Sequence, residues 1–177
     1  MSLPSPFRTL RLGLSIALVV ALADQASKWY VMERLMRPEG VEGTPFQSFR
    51  SIEILPVLHL VTAWNHGIAF SVGNNDGSWN ALIFSAISIV VVAGLIIWLR
   101  RAEEGLLRFA LGLIIGGALG NLVDRARFGA VADFIFFHVG NFRWPAFNLA
   151  DSAICVGAGL LLFQSLFGHS ASLKNRP

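Results

Sequence analysis

The 177-residue chain is 54% hydrophobic and only 14% charged, with a mean hydropathy of +0.60, which excludes an ordinary soluble domain. Its formal net charge of +3 comes without a dense basic run or aromatic-basic alternation, so no nucleic-acid partner is expected. A single cysteine, Cys155, excludes an intrachain disulfide and reads as a small residue inside an apolar span.

A bilayer-crossing helix needs roughly 20 mostly apolar residues, and four stretches supply them: 12–31, 79–99, 106–123 and 147–167. Because they are apolar all round, they read as helices in lipid. The predicted fold is an all-α membrane protein, a single integral membrane domain spanning 1–177. The basic residues Arg8, Arg11, Arg100, Arg101, Arg108, Lys174 and Arg176 crowd the termini and the short middle connection. By the positive-inside rule both termini are cytoplasmic, and segments 32–78 and 124–146 are extracytoplasmic.

Residues 1–23 imitate a secretory signal, with basic Arg8 and Arg11, an apolar run, and Ala21-Leu22-Ala23 as a cleavage-like pattern. The apolar helix continues through Trp29 to Val31, so it is expected to remain as the first span. On it Asp24 and Lys28 stand at i and i+4 and can pair, either as an interfacial ion pair or at the mouth of a site. Residues 32–51, with Pro38, Gly40, Gly43 and Pro45, read as an exposed loop.

The stretch 51–64 is rich in β-branched residues and predicts strands interrupted at Pro56, a small extracytoplasmic β-rich cradle. His59 reads as a surface polar residue, since no second histidine stands at a metal-like spacing. Asn65-His66-Gly67 reads as a turn, and Asn74-Asn75-Asp76-Gly77 as a loop. The second span carries no charge until Arg100. In the third, Gly112, Gly116 and Gly120 recur every four residues, a stripe for close helix packing. After Gly168 the chain is polar and expected to be unstructured.

Three aspartates lie between Gly116 and Ile154: Asp124, Asp133 and Asp151. Ionisable groups beside apolar spans are costly and point to function. Asn121 precedes Asp124 by three residues, and Asn148 precedes Asp151 by the same interval. Asp124 adjoins Arg125, which suits a structural ion pair. Asp133, enclosed by Val131, Ala132, Phe134, Ile135, Phe136 and Phe137, should be desolvated and hold a proton more tightly. Asp151 lies about one turn, or roughly 6 Å, inside the fourth span. If Asp133 and Asp151 meet, they form a dyad sharing one proton, suited to peptide hydrolysis; their spacing alone leaves that meeting open.

The blocks Asp24-Gln25-Ala26-Ser27-Lys28, Asn65-His66-Gly67-Ile68-Ala69-Phe70, 116–125 (GGALGNLVDR), Val131-Ala132-Asp133-Phe134-Ile135 and Phe147-Asn148-Leu149-Ala150-Asp151 resemble the successive signature blocks of bacterial lipoprotein signal peptidase, signal peptidase II. The likeness covers about 12–167 and departs at Ser27, where threonine is common. It implies an aspartic endopeptidase of the bacterial inner membrane, cutting diacylglyceryl-modified prolipoproteins before the lipid-bearing cysteine. By matching positions, Asp133 and Asp151 would be catalytic. Asp24, Lys28, Asn65, Gly67, Asn121, Asp124, Arg125, Asn148 and Ala150 would line or brace the site.

The resemblance also implies no metal or organic cofactor, membrane lipid around the site, and inhibition by cyclic peptide antibiotics of the globomycin type. A monomer is expected, with segment 32–78 covering the substrate and moving as the site opens. A proton-coupled carrier would favour mid-membrane carboxylates and repeats, and no convincing internal repeat is visible. A scaffold would merely pair Asp24, Asp124 and Asp133 with Lys28, Arg125 and Arg127. A presenilin-type protease lacks its YD and GxGD sequences here.

Overall fold

The computed structural model describes residues 6–67 and 79–173. Helix α1 (Pro6–Trp29) runs without interruption into a π-helical stretch, Tyr30–Leu35. Strands β1 (Ser51–Leu55) and β2 (Leu58–Asn65) follow, then α2 (Asn80–Arg100) and α3 (Gly105–Phe128). Strands β3 (Val131–Val139) and β4 (Phe142–Arg143) lead into α4 (Leu149–Leu173). Among the described residues four helices are long and apolar enough to cross a membrane: Leu10–Leu35, Asn80–Arg100, Gly105–Phe128 and Leu149–Phe167.

The helices depart from the predicted spans at their ends. The first helical segment reaches Leu35, because Tyr30–Leu35 turns Val31, Met32 and the following Met36 onto a second apolar core with Phe46, Ala132 and Phe134. Segment 32–51 is therefore not simply an exposed loop: Met36 and Phe46 are buried. Helix α3 continues past Val123 to Phe128, so Asp124 and Arg125 lie within its last turns. Helix α4 continues to Leu173, beyond the point where unstructured chain was expected. The loop expected at Asn74–Gly77, and Ile68, Ala69 and Phe70 of the second signature block, lie outside the described residues.

Helix α3 is central, packing against α1, α2 and α4. The glycine stripe permits this approach. A Cβ on Gly116 would stand 2.6 Å from the Ala17 carbonyl oxygen and 2.7 Å from Val20 Cβ. One on Gly120 would stand 2.5 Å from Asp24 Oδ2. The first case holds two backbones together; the second makes room for a carboxylate.

The sheet is antiparallel in the order β1-β2-β3-β4. The predicted break at Pro56 is the β1–β2 turn, whereas β3 falls in segment 124–146, where no strand was predicted. Gly129, in the left-handed region at φ 71°, closes α3 through its amide on the Arg125 carbonyl and turns the chain back into β3. Before α4 the chain runs along the other edge of β3, where Ile135 and Phe147 exchange two backbone hydrogen bonds of 2.8 and 3.0 Å. That pairing delivers the start of α4 to the middle of β3.

Gly116→Ala is expected to lower stability by about 1–3 kcal/mol through overpacking against a backbone carbonyl. Unfolding in detergent measures this, and an unchanged midpoint would mean that α1 and α3 tolerate a wider spacing.

Candidate active site

The site lies where α1, α3, β3 and the start of α4 meet. Its foundation is Lys28. The ammonium stands 2.8 Å from Asp24 Oδ2, 2.8 Å from Asp124 Oδ2 and 3.0 Å from Asn121 Oδ1. Three donors meet three acceptors, so its hydrogen-bonding capacity is filled. Lys28, Asp24 and Asp124 are almost wholly buried. The expected i, i+4 pair is present, but the partner of Asp124 is Lys28 and not its sequence neighbour Arg125. Arg125 instead donates 2.7 Å to the Gly67 carbonyl and lies over the Phe84 ring. Neighbouring residues on a helix point about 100° apart, which separates Asp124 from Arg125.

Each structural carboxylate also serves a backbone amide. Asp24 Oδ1 accepts from Ala150 N at 2.9 Å, satisfying an amide at the start of α4. Asp124 Oδ2 accepts from Ala132 N at 3.1 Å and fixes the start of β3. Gln25, which sequence reasoning quoted without giving it a role, donates 2.8 Å to Asp124 Oδ1 and 3.1 Å to the Gly120 carbonyl.

The spacing of Asn148 and Asp151 has a local cause. Asn148 precedes the first residue of α4, and its Oδ1 accepts from Asp151 N at 2.9 Å, while Asp151 Oδ2 accepts from Asn148 N at 3.3 Å. This reciprocal arrangement is a capping box. It leaves Asn148 Nδ2 free to donate 2.7 Å to Asp133 Oδ1 and 3.1 Å to Asn121 Oδ1. Asn121 Nδ2 in turn donates 2.8 Å to Asp151 Oδ1. Asp133 Oδ2 accepts from Asn65 Nδ2 at 3.0 Å, and Asn65 is held by the Gly67 amide on its Oδ1 at 2.9 Å.

The fold thus brings together both aspartates that the sequence left apart, through the shared side chain of Asn148. Asn65, Gly67, Asn121, Asp124, Arg125 and Ala150 all fall around them, as do Asp24 and Lys28 in the layer beneath. Asp133 is pushed up to about 7, first by burial and then by the negative charge of Asp151, against the hydrogen bonds from Asn65 and Asn148.

Beside Asp151 lies an apolar groove of about 250 Å³, lined by Trp144, Phe147, Asp151, Ser152, Cys155 and Val156. Of this lining only Asp151 stands out in the sequence as a candidate site residue. The i, i+4 spacing of Asp151 and Cys155 was the available signal, since it places them on one helical face. His59 also differs from expectation, because the sheet sets His138 beside it, with Nε2 atoms 3.0 Å apart.

The chain matches the family model described as signal peptidase (SPase) II over residues 16–167. It is 41% identical over 165 residues to the lipoprotein signal peptidase of Polynucleobacter necessarius, covering 89% of this chain and 93% of that protein. It is 42% identical over 156 residues to the lipoprotein signal peptidase of Methylocella silvestris, covering 88% and 86%. Two solved structures of a bacterial membrane enzyme, obtained by the in meso method at 2.3 and 1.9 Å resolution, superpose with TM-scores of 0.74 and 0.70. The first is 25% identical and covers 93% of both chains; the second is 26% identical and covers 88% of this chain and 92% of its own. With the four membrane-length helices and the sheet-capped polar centre, these likenesses place the chain in the signal peptidase II family of multi-pass membrane proteases.

Proposed function

We propose that this chain is an aspartic endopeptidase that removes the signal peptide from diacylglyceryl-modified prolipoproteins, cutting before the lipid-bearing cysteine. Asp133 and Asp151 are the catalytic pair. The observation that carries this reading is the single Asn148 side chain bonded to both, with Nδ2 on Asp133 and Oδ1 on the Asp151 amide.

Near neutral pH the pair holds one proton, because two adjoining buried carboxylates do not both ionise readily. The ionised member takes a proton from water. The protonated member donates to the scissile carbonyl, and the roles reverse as the tetrahedral intermediate releases the new amino terminus. Asn148, Asn121 and Asn65 fix both carboxylates, so little reorganisation is needed when charge moves. Asp24, Lys28 and Asp124 form the buried charge layer that holds Asn121 and the start of α4.

The protein works as a monomer in the bacterial inner membrane, as one integral domain with both termini cytoplasmic and the sheet on the periplasmic side. The signal peptide enters beside Asp151, and the groove along Trp144, Phe147 and Val156 takes apolar substrate surface, with the diacylglyceryl chains in neighbouring lipid. Segment 32–78 covers the bound peptide, and cyclic peptides of the globomycin type compete for this space. The carboxylates gather at one end of the helices, which supports hydrolysis near a membrane face over a proton relay across it.

Asp133→Asn and Asp151→Asn are each expected to lower the rate of signal-peptide release by about three orders of magnitude or more, with thermal midpoints close to the parent's. Asp124→Asn instead removes one partner of buried Lys28 and should cost about 3–5 kcal/mol of stability. Cleavage of a diacylglyceryl prolipoprotein in detergent, alongside unfolding, separates the two effects. Retained turnover in either dyad variant would refute the assignment.

The rate should fall as pH rises past about 7, when Asp133 loses the shared proton. Asn65 stabilises the ionised form of Asp133, so Asn65→Ala should move that alkaline limb to higher pH. A limb unmoved or shifted downward would show that Asn65 does not set the proton affinity of the pair.

A further inference from the structure

Strands β2 and β3 bring together two histidines that the peptidase reaction does not use. His59 Nε2 and His138 Nε2 are 3.0 Å apart, and the other nitrogen of His59, Nδ1, lies 3.3 Å from Ser51 Oγ. Both rings are half-buried on the sheet. Their centroids are 4.9 Å apart, closer than two rings laid end to end across that nitrogen gap, and their planes are tilted by 42°. The rings therefore do not point straight at one another.

We infer that His59 and His138 form a bidentate site for a divalent transition-metal ion, on the face of β3 turned away from Asp133. Two nitrogens bound cis to one ion at about 2.1 Å stand roughly 3.0 Å apart, which the pair already matches. A slight rotation of each ring aims both lone pairs at one point. Ser51 occupies Nδ1 of His59 and fixes which nitrogen faces the ion, as outer hydrogen bonds do at metal-bound histidines.

The backbone places the pair favourably. Register sets Glu53 opposite His59 and Arg143 opposite His138, so one charge of each sign flanks the rings. Phe136 packs beside both and restricts their motion. Among the described residues no group of three or more His, Cys, Asp or Glu gathers, so water completes the coordination shell. Two imidazoles with open positions favour Cu²⁺ over Ni²⁺ and Zn²⁺. The ion would clasp β2 to β3, the strands that carry Asn65 and Asp133, from the face opposite Asp133.

The test uses the full chain in detergent with any affinity tag removed, titrated with Cu²⁺ and Zn²⁺ by calorimetry, with the Cu²⁺ form followed by paramagnetic resonance. One equivalent should bind, Cu²⁺ the tighter, with two nitrogens in its resonance spectrum and a raised thermal midpoint. His59→Gln and His138→Gln should each weaken binding at least about tenfold and abolish the rise, whereas His169→Ala should change neither. Glutamine retains polarity at a half-buried position, and the midpoint without metal identifies a variant that fails to fold; either remaining single variant then decides. Absence of saturable binding, or affinity unchanged in a folded single variant, would overturn the site.

Discussion

One buried ammonium supports the polar centre of this protein. Lys28 faces Asp24, Asp124 and Asn121 at 2.8 to 3.0 Å. Placing one of these charges in an apolar bundle alone would cost several kcal/mol. Together, with every ammonium proton donated, they are mutually compensated. Each partner then does further work: Asp24 holds the start of α4, Asp124 the start of β3, and Asn121 the carboxylate of Asp151. Helix α3, which carries Asp124 and Asn121, is thereby registered together with β3 and α4 to one point on α1.

Helix packing makes that point reachable. The small residues of α3 let α1 approach closely at Gly116 and leave space for the Asp24 carboxylate at Gly120. In lipid, where apolar surface gains little by leaving the solvent, such close packing and the hydrogen bonds it permits hold helices together. The same stripe thus serves both association and the geometry of the charged layer. Above it the sheet supplies what helices do not: β3 places Asp133 beside the capping box of α4, and β2 brings Asn65 to its other oxygen.

Asp124, Asp133 and Asp151 were legible as unusual from their position beside apolar spans, and the signature blocks separated the proposed catalytic pair from the supporting residues. Asn148-x-x-Asp151 was visible as a spacing, but its meaning as a helix cap depended on where α4 begins. The partner of Asp124 was misread because Arg125 is adjacent in sequence, whereas side chains on a helix diverge and Lys28 arrives from another helix. The strand at Val131–Val139 is not evident in the sequence because its first residues are buried on both faces, which erases the alternation that marks a half-buried strand. Likewise His59 and His138 are 79 residues apart, and no spacing rule joins them.

The sequence by itself determined the membrane class, the number and approximate limits of the membrane-length helices, the family resemblance and the candidate site residues. These depend on local quantities: the length of apolar runs, the cost of charge beside them, and residue identity in short blocks. Only the tertiary structure decided which acids share a cation, which share an asparagine, and where an apolar groove opens beside Asp151. Those outcomes depend on close contacts between elements distant in the chain, set by helix packing at Gly116 and Gly120 and by the pairing of Ile135 with Phe147.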